Sequence, residues 1–476
     1  MKLRMGTIAF GLLGTSIVAS HHAGADVAAP DLEATIDSWS EYNHDAWGSR
    51  TNLFEHDLRP SNVGGLKVKW AYPTGGSIYG TPVVLDNVVY FGDTSGVFYA
   101  LTTSGQLVWK TQVNGPLSSA ALVRGDRIVF GDVLANLYGL DRKTGAIAWT
   151  FHADPHPLAA IFGSPTAVGD DFVIGVASNE EDLNPKGAPF TTRGSVLRVH
   201  RETGAVVWQT YTVTDAQRAA GSSGASVWSS PTYDVTTNTL YVTTGNNFSA
   251  PTTTTSDAFM ALDARTGAVR WVNQRTPNDT WNYNYPSSPA HPDADFGDSP
   301  QIYVLPGGRK VVGAGQKSGF YHVLDAATGA VVHVNQFEPG GALGGLFSDS
   351  AVDRGLVFLD GSNWPTPDLG TAPVSGDVIA VSLDGSKEVW RYSVPNSANL
   401  TGLAVANGVV YFQSIFDGML HALDERTGAP LATVPIGASA SGPSVAGGQV
   451  YVGTGALTVA GHTGAPPPGA LIVLGL

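Results

Sequence analysis

The chain contains no cysteine. That excludes disulfides, thiolate metal sites and a thioether-bound haem, which needs Cys-x-x-Cys-His. It also excludes a lipid anchor on an N-terminal Cys. Charge is scarce as well: only 14% of residues are charged, and the net charge is −14. No run of Lys or Arg occurs. Phosphate backbones and anionic membrane surfaces are held by clustered basic residues, so nucleic acid and such membranes are excluded as partners. After residue 19 no apolar stretch is long enough for a membrane span.

What the chain has is small and turn-forming. Hydrophobic residues make up 43%, enough for a large packed core, and there are 58 Gly and 29 Pro. With abundant Val, Thr and Tyr, that composition suits short strands broken by tight turns. The first residues read as an export signal: Lys2 and Arg4, an apolar stretch over 5–19, and the small-x-small site Ala23-Gly24-Ala25. Cleavage after Ala25 would leave residues 26–476 as a secreted or periplasmic domain.

One phrase recurs along that domain. Asp141-Arg-Lys-Thr-Gly-Ala-Ile-Ala-Trp149 returns as 200–208, 263–271, 325–332 and 424–431, with worn copies at Ser104…Trp109 and Asp384…Trp390. A chain built from copies stacks one supersecondary unit many times. Within the unit at 81–109, the apolar runs 82–85, 88–91, 97–101 and 106–109 are separated by turns. Four strands in an antiparallel meander follow. Seven units end near Trp109, Trp149, Trp208, Trp271, Val332, Trp390 and Leu431. An eighth begins at Ser441 and stops at 470–475, one strand short. Leu66-Lys-Val-Lys-Trp-Ala71 can supply that strand and close the ring, which removes the exposed sheet edges. The expectation is an all-β, eight-bladed β-propeller of four-stranded antiparallel blades. An open β-solenoid is the alternative, but its repeats are shorter and lack hairpin turns. Middle units run about 60 residues against about 40 elsewhere, so the extra loops and the chemistry should fall between about 150 and 390. Residues 253–255 and 466–468 read as mobile loop tips.

The Asp-x-x-Thr-Gly-x-x-x-Trp phrase resembles the repeat of pyrroloquinoline quinone (PQQ) dehydrogenases. Longer motifs agree: Trp39-Ser-Glu-Tyr-Asn-His-Asp…Arg50-Thr-Asn, and Thr276-Pro-Asn-Asp-Thr-Trp281. Ala294-Asp-Phe-Gly-Asp-Ser-Pro300 and Gly315-Gln-Lys-Ser-Gly-Phe-Tyr-His are similar to the polyvinyl alcohol dehydrogenase branch. The resemblance implies an alcohol dehydrogenase that holds PQQ and Ca²⁺, acts on a small or polymeric alcohol, and passes electrons to a separate acceptor such as a cytochrome. It implies Trp228 as the indole beneath the quinone and Lys317 as the cation on its carbonyls. It implies Glu180 and Asn246 as calcium ligands, with Glu181 competing for the place of Glu180.

The departures are equally specific. Where methanol and ethanol oxidisers carry an Asp base after the Trp, this chain has Asn282, an amide that takes no proton at neutral pH. Asn282 therefore stands at the catalytic and metal position without a base, and Asn284 is also an amide. Asp279, Asp293 and Asp295 are the carboxylates that could serve instead, Asp279 and Asp295 foremost. Asp293, Asp295 and Asp298 could also read as a calcium loop, and His152 with His156 as a metal pair, although plain polar loops explain both. The paired Cys that cover the quinone in relatives are absent, and Gly344-Gly-Leu-Phe-Ser-Asp349 lacks the branch's His and Trp. A propeller without redox chemistry, either a binding module or a repurposed enzyme, is the rival expectation.

Overall fold

The computed structural model describes residues 37–185, 187–282, 284, 291–364, 372–439, 441–455 and 468–476. The export signal with its cleavage site, and residues 466 and 467, lie outside them.

The repeated phrase forms a clasp. Asp141 Oδ1 accepts the N–H of Lys143 (3.1 Å) and Thr144 (2.9 Å) and the Thr144 hydroxyl (2.7 Å). These bonds hold the Asp141 carboxyl below its ordinary range, the Thr144 side chain foremost. Gly145 then turns the chain at φ +72°. A Cβ there would lie 2.4 Å from Cε3 of Trp109, which belongs to the preceding blade. Gly is required twice over, by backbone conformation and by close approach. Trp109 in turn donates its indole N–H to the Arg142 carbonyl at 3.0 Å. The same bond joins Trp70 to Thr103, Trp149 to Arg201, Trp208 to Ala264, Trp271 to Ala326 and Trp390 to Glu425. Each closing Trp thus docks on the Thr-Gly turn of the next blade (Ser104-Gly105 for Trp70), combining apolar burial with a satisfied polar handle.

Eight four-stranded antiparallel blades result. The first contains Val83–Leu85, Val88–Gly92, Val97–Thr102 and Leu107–Gln112, matching the strand pattern expected from the repeat. The fourth contains Thr232–Asp234, Thr239–Thr243, Ala258–Asp263 and Val269–Gln274. The fifth contains Gln301–Val304, Lys310–Gly315, Phe320–Asp325 and Val331–Gln336. In the eighth, Lys67–Thr74 pairs with Gly469–Gly475, with Trp70 opposite Val473 and Thr74 opposite Gly469. The N-terminal strand therefore closes the ring. At this junction the chain is broken, and the short turn Val63–Gly65 packs against the seventh blade where the other junctions use a glycine turn. The fifth blade has Val332 where its neighbours have Trp; there Tyr321 and Val323 pack against Gly385 of the sixth blade.

The inner strands are buried on both faces, and one core cluster runs across the seventh, eighth, first and second blades through Tyr411, Val452, Phe98 and Phe130. Phe98 and Phe130 stack with centroids 4.3 Å apart across a blade junction.

Residues 38–52 run inside this ring and visit all eight blades in order. Trp39 exchanges two backbone bonds with Val84 (2.8 and 2.7 Å). The Ser40 carbonyl accepts from Val123 N and a Glu41 carboxylate oxygen from Ala167 N. The carbonyls of Ala46, Trp47, Ser49 and Arg50 then accept from Tyr233, Ile302, Val352 and Val405. Finally Asn52 Nδ2 donates to the Val445 carbonyl at 2.9 Å. Each partner lies in the innermost strand of its blade, the edge that would otherwise present unpaired groups to the axis.

Candidate active site

In an antiparallel blade, the loop from second to third strand and the loop to the next blade emerge on the same face. Lys317 and Asn246 come from loops of the first kind, Trp228 and Asp295 from loops of the second. The repeat fixes how they meet. Thr94 N donates to Ser77 O (2.9 Å), Val133 N to Pro116 O (3.1 Å) and Ile415 N to Ala398 O (2.9 Å). Lys317 N makes the corresponding bond to Asp295 O at 3.0 Å. Lys317 and Asp295 thus occupy standard blade positions whose backbones always touch.

A small additional sheet shapes the floor. Ser223–Gly224 pairs with Asn247–Ser249, Ala225 N donates to Asn246 O at 2.7 Å, and Gly245 N to Ser226 O at 2.9 Å. The indole of Trp228 rests on Gly297, where a Cβ would lie 2.1 Å from Cη2. Phe347 packs beside it at 6.2 Å. Together these segments enclose a cavity of about 180 Å³, lined by Phe162, Ala177, Ser178, Glu181, Ser226, Trp228, Gly245, Asn246, Phe248, Asp295 and Lys317.

The cavity carries one ammonium among several carboxylates. Lys317 Nζ lies 3.0 Å from Asp293 Oδ1 and 3.1 Å from Asp295 Oδ2. It also sits 5.7 Å from the centroid of Trp228 and 5.9 Å from that of Trp281. Burial opposes its charge, yet Asp293, Asp295 and Glu181 outweigh that and hold the ammonium well above its usual range. Burial, opposed by Lys317, pushes the Asp293 carboxyl up. Asp279, whose oxygens accept from Trp281 N and Ala294 N, is pushed up to about 6, by burial first and then by Asp295. Asp257 lies behind them, fully buried with neither oxygen hydrogen bonded. Burial and the neighbouring Asp279, Asp295 and Asp293 hold its carboxyl well above the ordinary range.

The structure therefore brings Trp228, Asn246, Asp295 and Lys317 into one cavity. Asn246 Nδ2 donates to the carbonyls of Trp281 (2.5 Å) and Asn247 (2.8 Å), and its backbone N–H to Asp295 Oδ1 (2.5 Å). Its Oδ1 is buried with no donor. Glu180 is placed elsewhere: its carboxylate accepts the N–H groups of Thr191 (2.8 Å) and Thr192 (2.9 Å) and ties down that turn. Glu181, the competing choice, lines the cavity instead. Asn282 is buried but outside the lining; its Nδ2 donates to Phe248 O (2.6 Å) and its Oδ1 accepts from Asn284 N (2.9 Å). Its amide is thereby a brace on the loop carrying Phe248. Asp298 is likewise structural, accepting from Gly315, Ser350 and Gln301. His152 pairs with Asn136 and His156 with Thr191, and no group of three metal-binding side chains occurs among the described residues. Residues 253–255 are pinned, not loose: Thr253 N donates to Asn247 Oδ1 and Thr255 Oγ1 to Thr212 O. Phe162, Phe248 and Phe347 carry no sequence signal, because their approach to the cavity depends on how separate loops stack.

A family model described as outer membrane protein assembly factor BamB (PQQ_2) matches residues 46–258 and 192–462, so the chain belongs to the PQQ_2 repeat family. It is 28% identical to a polyvinylalcohol dehydrogenase of a Pseudomonas species, over 89% of this chain and 74% of the relative. The corresponding enzyme of Sphingopyxis sp. (strain 113P3) is 27% identical, over 91% and 76%. The crystal structure of the quinohemoprotein alcohol dehydrogenase from Comamonas testosteroni superposes with a TM-score of 0.76 at 20% identity, over 92% of this chain and 80% of that one. This last likeness establishes the eight-bladed fold.

Proposed function

We propose that this chain is an exported quinoprotein dehydrogenase that oxidises an alcohol, with PQQ and Ca²⁺ as cofactors and a separate acceptor such as a cytochrome receiving the electrons. The observation that carries the reading is the convergence of Trp228, Asn246 and Lys317 on one cavity. The donor set fits the groups. A buried amide oxygen without a donor suits a hard cation, and the Glu181 carboxylate is the second candidate ligand. The indole of Trp228, backed by Gly297, gives a planar ring a flat surface.

When bound, PQQ would supply an acceptor for a hydride equivalent from the alcohol carbon, and Ca²⁺ would supply a Lewis acid. The chain's own residues supply the rest. Lys317, fixed between two carboxylates, presents a permanent positive charge to oxygen that gains negative charge. Asp295 is the cavity's carboxylate beside that ammonium and takes the hydroxyl proton; Asp279 stands behind it as the alternative base. Ser226 lines the cavity wall, with its Oγ buried and without a partner. Asn282 braces the loop and moves no proton.

The test uses purified protein with PQQ and CaCl₂. Tryptophan quenching measures binding, and reduction of a redox dye over an alcohol panel that includes polyvinyl alcohol measures turnover. Quenching with turnover supports the proposal. Quenching without turnover leaves a cofactor-binding propeller, and no quenching at all favours the second reading. That reading, a propeller without redox chemistry, draws on the description of the matching family model and on Asn282.

A further inference from the structure

The opening motif, Trp39 to Asn52, has no part in the cavity, yet its hydrogen bonds reach every blade. It touches the innermost strand of all eight blades in order. None of its residues is exposed, and Trp39, Arg50 and Asn52 are wholly inaccessible. Its side chains also meet one another. Arg50, anchored on the seventh blade, lies 4.8 Å from the ring of Tyr42 and 5.8 Å from that of Trp39, which is anchored on the first. Arg50 Nη1 donates to Tyr42 O at 2.9 Å, and Trp39 Nε1 to the same oxygen at 3.2 Å. The Tyr42 hydroxyl reaches Asp349. These bonds tie Trp39, Tyr42 and Arg50 to one another, while the Asn43 amide and Arg50 Nη2 are buried without a partner.

The level of this belt matters. It pairs with residues inside the innermost strands, such as Val84, Val352 and Val405, whereas the cavity is built from loops beyond the ends of those strands. We propose that residues 38–52 seal the axial channel beneath the cavity, so that the site opens on one face only. Resting on the dehydrogenase reading above, this sets how a polymeric alcohol is used: it is taken side-on at that face and is never threaded through the ring, and each product leaves by the route its substrate took.

Two measurements test this separately. Hydrogen–deuterium exchange on the full chain, read by peptide mass spectrometry, needs no cofactor. The amides of Val123, Tyr233, Ile302, Val352 and Val405 should exchange at least about a thousandfold more slowly than free amides, as core strands do. Exchange at the rate of open loops would overturn the seal whatever the enzyme does. Arg50→Met removes the crossing bonds and should speed exchange at Val405 by about tenfold while sparing Val129 in the middle of the second blade; if that variant does not fold, the wild-type measurement still decides. The second measurement compares polyvinyl alcohol with the same polymer bearing bulky groups at both ends. Equal oxidation per hydroxyl supports side-on use, and loss of oxidation on blocking the ends overturns it. A small alcohol run in parallel isolates failure of the dehydrogenase reading, because then neither polymer nor small alcohol turns over while the exchange result stands.

Discussion

Replacing Lys317 by Met keeps the length of the side chain and removes the one ammonium that faces Asp293 and Asp295. At 3.0 and 3.1 Å, and with an effective dielectric near 20, each attraction amounts to about 5 kcal/mol before desolvation is subtracted. Removing one partner of such a buried set costs about 3–5 kcal/mol net. The variant can recover by protonating a carboxyl, which costs about 1.4 kcal/mol for each pH unit above its ordinary value near 4. That comes to about 5 kcal/mol at pH 8 and about 1.4 kcal/mol at pH 5. The sign follows from proton binding. An acid whose folded-state pKa is raised binds more protons when folded than when unfolded, so stability falls as pH rises through that window. Asp293 is already raised by burial despite Lys317, and without the ammonium it rises further. Urea unfolding followed by tryptophan fluorescence at pH 5 and pH 8 should therefore show a loss of about 3–5 kcal/mol at pH 8 that shrinks to about 1–2 kcal/mol at pH 5. An equal loss at both pH values would refute the charge-pairing argument, and no loss at either would mean that Lys317 is not held where the structure places it.

Other outcomes follow from single contacts. Gly145→Ala, at φ +72° and with its Cβ 2.4 Å from Trp109, should lower stability by about 1–3 kcal/mol, whereas Gly169→Ala, also at positive φ but with open space around it, should cost about 1 kcal/mol. Asn282→Asp would restore the residue of methanol-oxidising relatives. Because Nδ2 then no longer donates to Phe248 O, the expected result is a loss of about 1–3 kcal/mol in unfolding free energy with no gain in dye reduction. If Asp279 is the base, kcat/KM rises with pH through a midpoint near 6, and Asp279→Asn removes that limb; an Asp279→Asn profile that keeps the limb rules Asp279 out as the base. Asn246→Ala should abolish the dependence of PQQ quenching on Ca²⁺ in titrations, and an unchanged calcium midpoint would remove Asn246 from the metal site.

Much of the fold was legible because the repeat is a local device. Asp141, Thr144 and Gly145 make their turn from bonds within four residues, so the pattern announces itself wherever it recurs. Counting the copies and finding the last one strand short was enough to place Lys67–Thr74 beside Gly469–Gly475. The site was legible only in part. Lys317, Asn246 and Trp228 were readable through family motifs, and the same motifs chose Glu180 over Glu181. Two adjacent carboxylates look alike in sequence; what sets them apart in the fold is Thr191 and Thr192, whose N–H groups capture Glu180 from eleven and twelve positions away.

Sequence alone determined the blades, their number and the way the ring closes, because hydrophobic period and turn chemistry act over a few residues and repetition multiplies the signal. Tertiary structure alone decided that Asp293 and Asp295 share one ammonium, that Asn246 Oδ1 is left without a donor, and that residues 38–52 thread all eight blades. Those facts depend on which loops the closed ring brings face to face, and no local pattern encodes distances between loops that lie from about twenty to several hundred residues apart.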